Sequence, residues 1–194
     1  LIQDRVVVNT YLSIIASAFT AFTVSCLLDD KGRFSMVDIQ NATIAGGVAI
    51  GCSADMVPHP YGAMIIGFLA GAVSVVGYRV ISPKLTEKIG LKDTCGVLNL
   101  HGMPGVLGAV AGCIVSAAAE TDGYGDTLLT VFAKRGERSA MDQAWFQLAA
   151  LAVTLVIAIV GGAVTGLACR ALPVLERFYD DSVEYDVAEA DADK

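Results

Sequence analysis

Apolar runs long enough to cross a membrane, separated by short polar stretches, dominate this chain and leave few ways to fold it. Of its 194 residues 55% are hydrophobic and 17% charged, with a mean hydropathy of +0.61. A soluble core built from so short a chain cannot hide several helices that are apolar all round. Lipid can, because roughly 20 apolar residues in a helix span the hydrocarbon of a bilayer. An all-α, polytopic transmembrane helix bundle is therefore expected, since helices satisfy every backbone polar group within the segment.

Five spans are expected, over residues 6–28, 39–57, 61–81, 96–119 and 145–169, within a transmembrane domain covering 1–177. The second is rich in small residues and closed by Pro58 and Pro60, which leave a tight link to the third. Tyr61 and Trp145 stand where an interfacial aromatic belt would lie. With alternating sides, Lys31, Arg33, Arg79, Lys84, Lys88, Lys92, Arg170 and Arg177 fall on one side, and Arg5, Lys134, Arg135 and Arg138 on the other. That bias predicts a cytoplasmic C-terminus, with the 120–143 loop and the turn around Pro58 outside. The net charge of −7 comes mainly from the segment 178–194, read as a solvated acidic tail. An acidic chain without a basic patch excludes nucleic acid as a partner.

Cys26, Cys52, Cys95, Cys113 and Cys169 match neither zinc-site nor paired-disulfide spacing, so free buried thiols are expected, with no metal and no cofactor. Position 1 is leucine and no signal-peptide pattern precedes the first apolar run, so the chain is expected to be a piece of a longer protein. Gly47 and Gly51, Gly67 and Gly71, and Gly162 and Gly166 sit at small-xxx-small spacing, which lets helices approach closely in lipid.

One ionisable residue stands inside the fourth run. His101 shares an arc with Gly105, Gly108 and Gly112 at about 100° per residue, which predicts that it points into the packed bundle. Pro104 cannot donate to the carbonyl of Leu100, so a kink with a free carbonyl is expected beside the histidine. A buried ionisable group in lipid points to a pathway role, and imidazole can both donate and accept a hydrogen bond. The plainer alternative is a neutral histidine bonded to a neighbouring helix. Asp93 is a helix cap or a cation-stabilising carboxylate at the cytoplasmic end, Thr94 an alternative cap. His59 is expected to be exposed, and the sequon at Asn41 to serve as a helix start.

The segments IQNATIAGGVAIG (39–51), PYGAMIIGF (60–68), DTCG (93–96) and NLHGMPG (99–105) closely resemble the Rh glycoproteins of the ammonium transporter (Amt/Mep/Rh) family. The likeness runs over nearly the whole chain, and FYDDSVEY (178–185) resembles the cytoplasmic end of the non-erythroid members. The resemblance implies the C-terminal part of an 11–12-helix fold, a homotrimer in the plasma membrane, and one narrow apolar pore per subunit lined by two facing histidines. His101 matches the second of these, Asp93 the aspartate of the same helix, and Asn99 lies in the motif of the pore. The first histidine and the gate are expected on helices before Leu1. Asp38 and Glu87 match loosely the acidic groups of a cytoplasmic vestibule, and in the pore motif Leu98 departs from the polar residue that the family commonly has before Asn99.

The function so implied is a channel conducting neutral ammonia after ammonium has given up its proton, with carbon dioxide as a second cargo. Moving the bare cation through a dry pore would cost several kcal/mol. The alternative is a scaffold subunit that anchors a membrane skeleton through the acidic tail. An enzyme is not expected, because no nucleophile or metal cluster accompanies His101.

Overall fold

The computed structural model describes residues 2–172, and every described regular element is helical. The acidic segment 178–194 lies outside the described residues. Helix α1 runs Ile2–Leu27, α2 Met36–Ile50 and α3 Pro60–Val76. A π-helical turn, Gly77–Ile81, carries α3 without a break into α4, Ser82–Ile89. A second π-turn, Leu98–Gly102, opens α5, Met103–Ala117. Two one-turn helices, α6 Thr121–Tyr124 and α7 Leu128–Val131, precede the long α8, Ala140–Arg170.

Four of these stretches are long and apolar enough to cross a bilayer: Ile2–Leu27, Pro60–Ile89, Leu98–Ala117 and Ala140–Arg170. The remaining expected span, 39–57, is shorter as a helix. With 15 residues, α2 rises about 22 Å, less than the hydrocarbon thickness. Residues 51–56 complete it as turns. Irregular backbone at that depth is tolerable where protein satisfies it. Asn9 of α1 does so, its Nδ2 donating to the carbonyls of Ala54 and Val57 at 2.8 Å each, while Arg5 donates to that of Asp55 at 3.1 Å.

α1, α2 and α3 pack on one another, and α5 lies against α2 and α3. Close approach comes from α1, whose inner face is polar but small. Ser13 donates to the carbonyl of Gly46 at 2.7 Å, and Ser17 to that of Ala42. Any Cβ on Gly46 or Gly67 would overlap the backbone of Ser13, and one on Gly71 that of Ser17. Of the three glycine pairs read from the sequence, Gly67 and Gly71 thus hold a helix contact. Gly46 does so in place of Gly47, and Gly162 and Gly166 have open space at their Cβ positions.

α2 starts more than a full turn earlier than the Asn41 sequon suggests. Its N-cap is Ser35, whose Oγ accepts from the amide of Asp38 at 3.3 Å, and Asn41 sits inside the helix with its amide on the carbonyl of Val37. His59 is exposed as expected, stacked on Tyr61 at 5.3 Å, and Pro60 opens α3 at its first turn. The 120–143 loop has a small core of its own, with Tyr124 against Phe132 and its hydroxyl donating to the carbonyl of Met56. Residues 155–172 belong to a second compact unit. They are the C-terminal part of α8 and its end, and their side chains are exposed throughout.

Candidate functional site

The two π-turns lie against each other, and they organise the residues around His101. A π-turn closes through an i to i−5 hydrogen bond, here from Ser82 to Gly77 and from Met103 to Leu98. It takes in one residue more than an α-turn, so what precedes it is offset by up to about 100° from the helix face that follows. Pro104, fully buried, is the second residue of α5, two positions after the second π-turn. A π-turn thus stands just ahead of the proline, at the place where the sequence led us to expect a kink with a free carbonyl.

That offset corrects the expected orientation of His101. Gly108 and Gly112 are buried, Gly108 so tightly against the carbonyl of Ala49 that a Cβ would overlap it. Gly105 has open space at its Cβ position, and His101 is exposed. The imidazole leaves the packed arc and makes no hydrogen bond to another described residue. Leu100 turns onto the α2 and α3 core in its place.

Asn99, expected beside His101 on a pore wall, faces the other way. It is 1% exposed, and its amide pairs reciprocally with Ser82: Nδ2 donates to Ser82 Oγ at 2.8 Å, and that hydroxyl donates to Asn99 Oδ1 at 3.2 Å. An amide buried among apolar spans needs such a partner, which pulls it into the contact between the two turns.

Asp93 is a helix cap. Oδ1 accepts from the amide of Val97 and Oδ2 from that of Leu98, both at 2.9 Å, so two orphan donors of the helix start are satisfied together. The helix does not continue down to Asp93, because Gly96 stands at φ +68°. Glycine is required there twice over, for its backbone angle and because a Cβ would overlap the Tyr78 ring, whose hydroxyl donates to the Gly96 carbonyl at 3.1 Å.

Asp38 is turned inward rather than open to a vestibule. It is 3% exposed, its carboxylate accepting from Arg79 Nε at 2.6 Å and from Ser25 Oγ at 3.0 Å. A carboxylate taken out of water must be paired, and the guanidinium of the first π-turn pairs it. Glu87 is exposed on α4. Sequence reasoning missed Arg79 as a partner, although a cation at the end of the third apolar run was the signal that a carboxylate had to lie nearby. Gly77 and Ser82 were missed as well, and nothing local in the sequence marks a π-turn.

Among the described residues no group of three or more His, Cys, Asp or Glu side chains could hold a metal ion. The Cys26, Cys52, Cys95, Cys113 and Cys169 thiols are free, with Cys52, Cys95 and Cys169 exposed and the other two half-buried.

Several apolar helices of spanning length, one opened by a π-turn whose imidazole has no hydrogen bond among the described residues, define a multi-pass membrane protein. Residues 1–193 match the model of the Ammonium Transporter Family, and the chain belongs to that family. It is 48% identical over 192 residues to the ammonium transporter Rh type B of Mus musculus, covering 95% of this chain and 42% of that protein. The Homo sapiens counterpart is 47% identical over 199 residues, covering 99% and 43%. Among solved structures it is similar to Nitrosomonas europaea Rh50, described with the mechanism of conduction by the Rhesus protein family of channels, at a TM-score of 0.72 and 34% identity over 96% of this chain and 42% of that one. The chain thus spans about two-fifths of the length of the relatives it matches.

Proposed function

We propose that this chain contributes one wall of an ammonia-conducting pore, with His101 as its polar lining. The carrying observation is an imidazole on a π-turn of a membrane-spanning helix, exposed and free of hydrogen bonds to the described residues. A histidine kept for packing alone would be bonded to a neighbour, as Asn99, Ser13 and Ser17 are. Relatives named as ammonium transporters support ammonia as the cargo.

Ammonium gives up its proton before the constriction, because desolvating the cation costs several kcal/mol more than desolvating neutral ammonia. The imidazole then offers ammonia a donor or an acceptor where water is excluded. Carbon dioxide, small and neutral, fits the same path. The protein works as a homotrimer in the plasma membrane with its C-terminal tail in the cytoplasm, where the acidic segment is available to a membrane-skeleton partner. Asp93 holds the cytoplasmic start of the lining helix, and Glu87 is the carboxylate left to attract ammonium from solution.

In the full-length protein in liposomes, His101→Ala should lower ammonia-driven internal alkalinisation about fivefold or more at equal protein density, the equivalent of one lost hydrogen bond. Stopped-flow recording with an internal pH dye measures it. Ammonia permeability unchanged from wild type would take His101 off the conduction path.

A further inference from the structure

We propose that Ser82 is a positioning residue for His101, acting through Asn99 and the mated π-turns. This rests on the reading of His101 as pore lining. The first three residues of the first π-turn, and the serine that caps it, each hold something. The missing side chain of Gly77 leaves the space taken by Asn99 Oδ1 and the Met103 methyl. The hydroxyl of Tyr78 donates to Gly96, where the helix of the second π-turn starts. Arg79 is tied to Asp38 of α2. Ser82 both closes the first π-turn through its amide and grips Asn99 through its hydroxyl.

Asn99 is the second residue of the other π-turn, and His101 follows two positions later. A π-turn competes with the regular α-turn, so something must hold the wider form in place. The Asn99 amide does this: buried at 1% exposure and bonded to Ser82, it ties the wide second turn to the first, and a buried amide resists losing its partner. If the turn tightens, His101 rotates off the open side by up to about one residue's 100°. The serine therefore aims an imidazole it does not touch.

Three measurements on the full-length protein in liposomes test this. Ser82→Ala should lower ammonia permeability per folded molecule about fivefold, and Ser82→Thr, which keeps the hydroxyl, should restore most of it. In a His101→Ala background, Ser82→Ala should add no further loss, since residues acting through one group are not additive. Nitrogen-15 NMR of labelled histidine should show the ring signals of His101 moved by Ser82→Ala and little changed by Ser82→Thr. Equal losses in both backgrounds, or His101 signals unmoved by Ser82→Ala, would overturn the proposal. If His101→Ala alone leaves permeability intact, the pore-lining reading fails, and the NMR arm still decides whether Ser82 aims the ring. Should Ser82→Ala fail to fold, Ser82→Cys, similar in shape and a weaker donor, is judged by the same outcomes.

Discussion

The packing of α1 against α2 and α3 and the second π-turn both place polar side chains inside apolar spans, but they use them differently. On α1, Asn9, Ser13 and Ser17 are each bonded to a carbonyl of α2 or of the turns that follow it, and glycines bring the backbones close enough for that. At the π-turn, Asn99 is bonded to the Ser82 hydroxyl, while His101, two residues on, has no hydrogen bond among the described residues. Polarity inside a lipid-embedded bundle is thus no sign of a pathway by itself. His101 differs from the buried, unpartnered hydroxyls of Ser74 and Ser116 in being exposed, and the proposed pathway role rests on that difference.

Breaking the packed side of this contrast should have the largest effect. Gly67→Leu drives a branched side chain into the backbone of Ser13, which cannot yield without separating α1 from α3. Destabilisation of about 3 kcal/mol or more is expected, seen as loss of folded protein in detergent and of delivery to the cell surface. Wild-type yield and thermal stability would mean that the α1 and α3 contact is looser than the glycine implies.

A somewhat smaller loss should follow Asp38→Ala. It strands Arg79, and a cost of about 2–3 kcal/mol is expected, below that of a fully buried pair because the Arg79 side chain is 33% exposed. Replacing both partners, with Arg79→Leu added, should recover part of that cost, since no charge is then left without its partner. Thermal unfolding of the single and double variants measures it, and a double variant worse than the single one would argue for a vestibule carboxylate instead.

Asp93→Ala removes a cap that serves two amides and should cost about 1 kcal/mol, with the loss confined to the start of the helix. Hydrogen exchange at Val97 and Leu98 should quicken while α1 amides stay protected. Exchange that quickens equally in both places would make Asp93 part of the global core.

The smallest effect belongs to the solvent-exposed turn after α1. The Arg33 amide, bonded to the Asp29 carboxylate together with the guanidinium of the same residue and the Lys31 amide, holds that carboxyl below its ordinary value of 3.8. A folded-state pKa lowered in this way means that the turn's stabilisation is fully present above pH 3.8 and is lost as the pH falls below it. Amide chemical shifts of Lys31 and Arg33 followed from pH 6 to pH 2, the working range about that midpoint, should move through a midpoint below 3.8. A midpoint at or above that value would remove the contribution.

Much of the architecture is legible in the residues because lipid leaves few choices: apolar runs near twenty residues must become helices, and prolines and polar clusters must end them. Hence α1, α3, α5 and α8 lie close to where hydropathy puts them. The second span was harder, because the bonds that let it stop at Ile50 come from Asn9 and Arg5, some 45 residues away in sequence. The orientation of His101 was not legible either. Regular periodicity assigns it to the Gly108 arc, while the π-turn that offsets it meets Gly77 and Ser82 of another span through Asn99.

By itself, then, the sequence determined that this protein spans a membrane in several helices, that it belongs with the ammonium transporters, and that one histidine stands deep in an apolar run. Those are consequences of residue type and spacing along the chain, which hydropathy and motif express directly. Which polar groups are engaged and which, like His101, Ser74 and Ser116, have no hydrogen-bond partner among the described residues was decided by tertiary structure alone. A hydrogen bond between side chains far apart in sequence depends on how the spans are rotated against each other, and a π-turn resets that rotation without leaving a local mark.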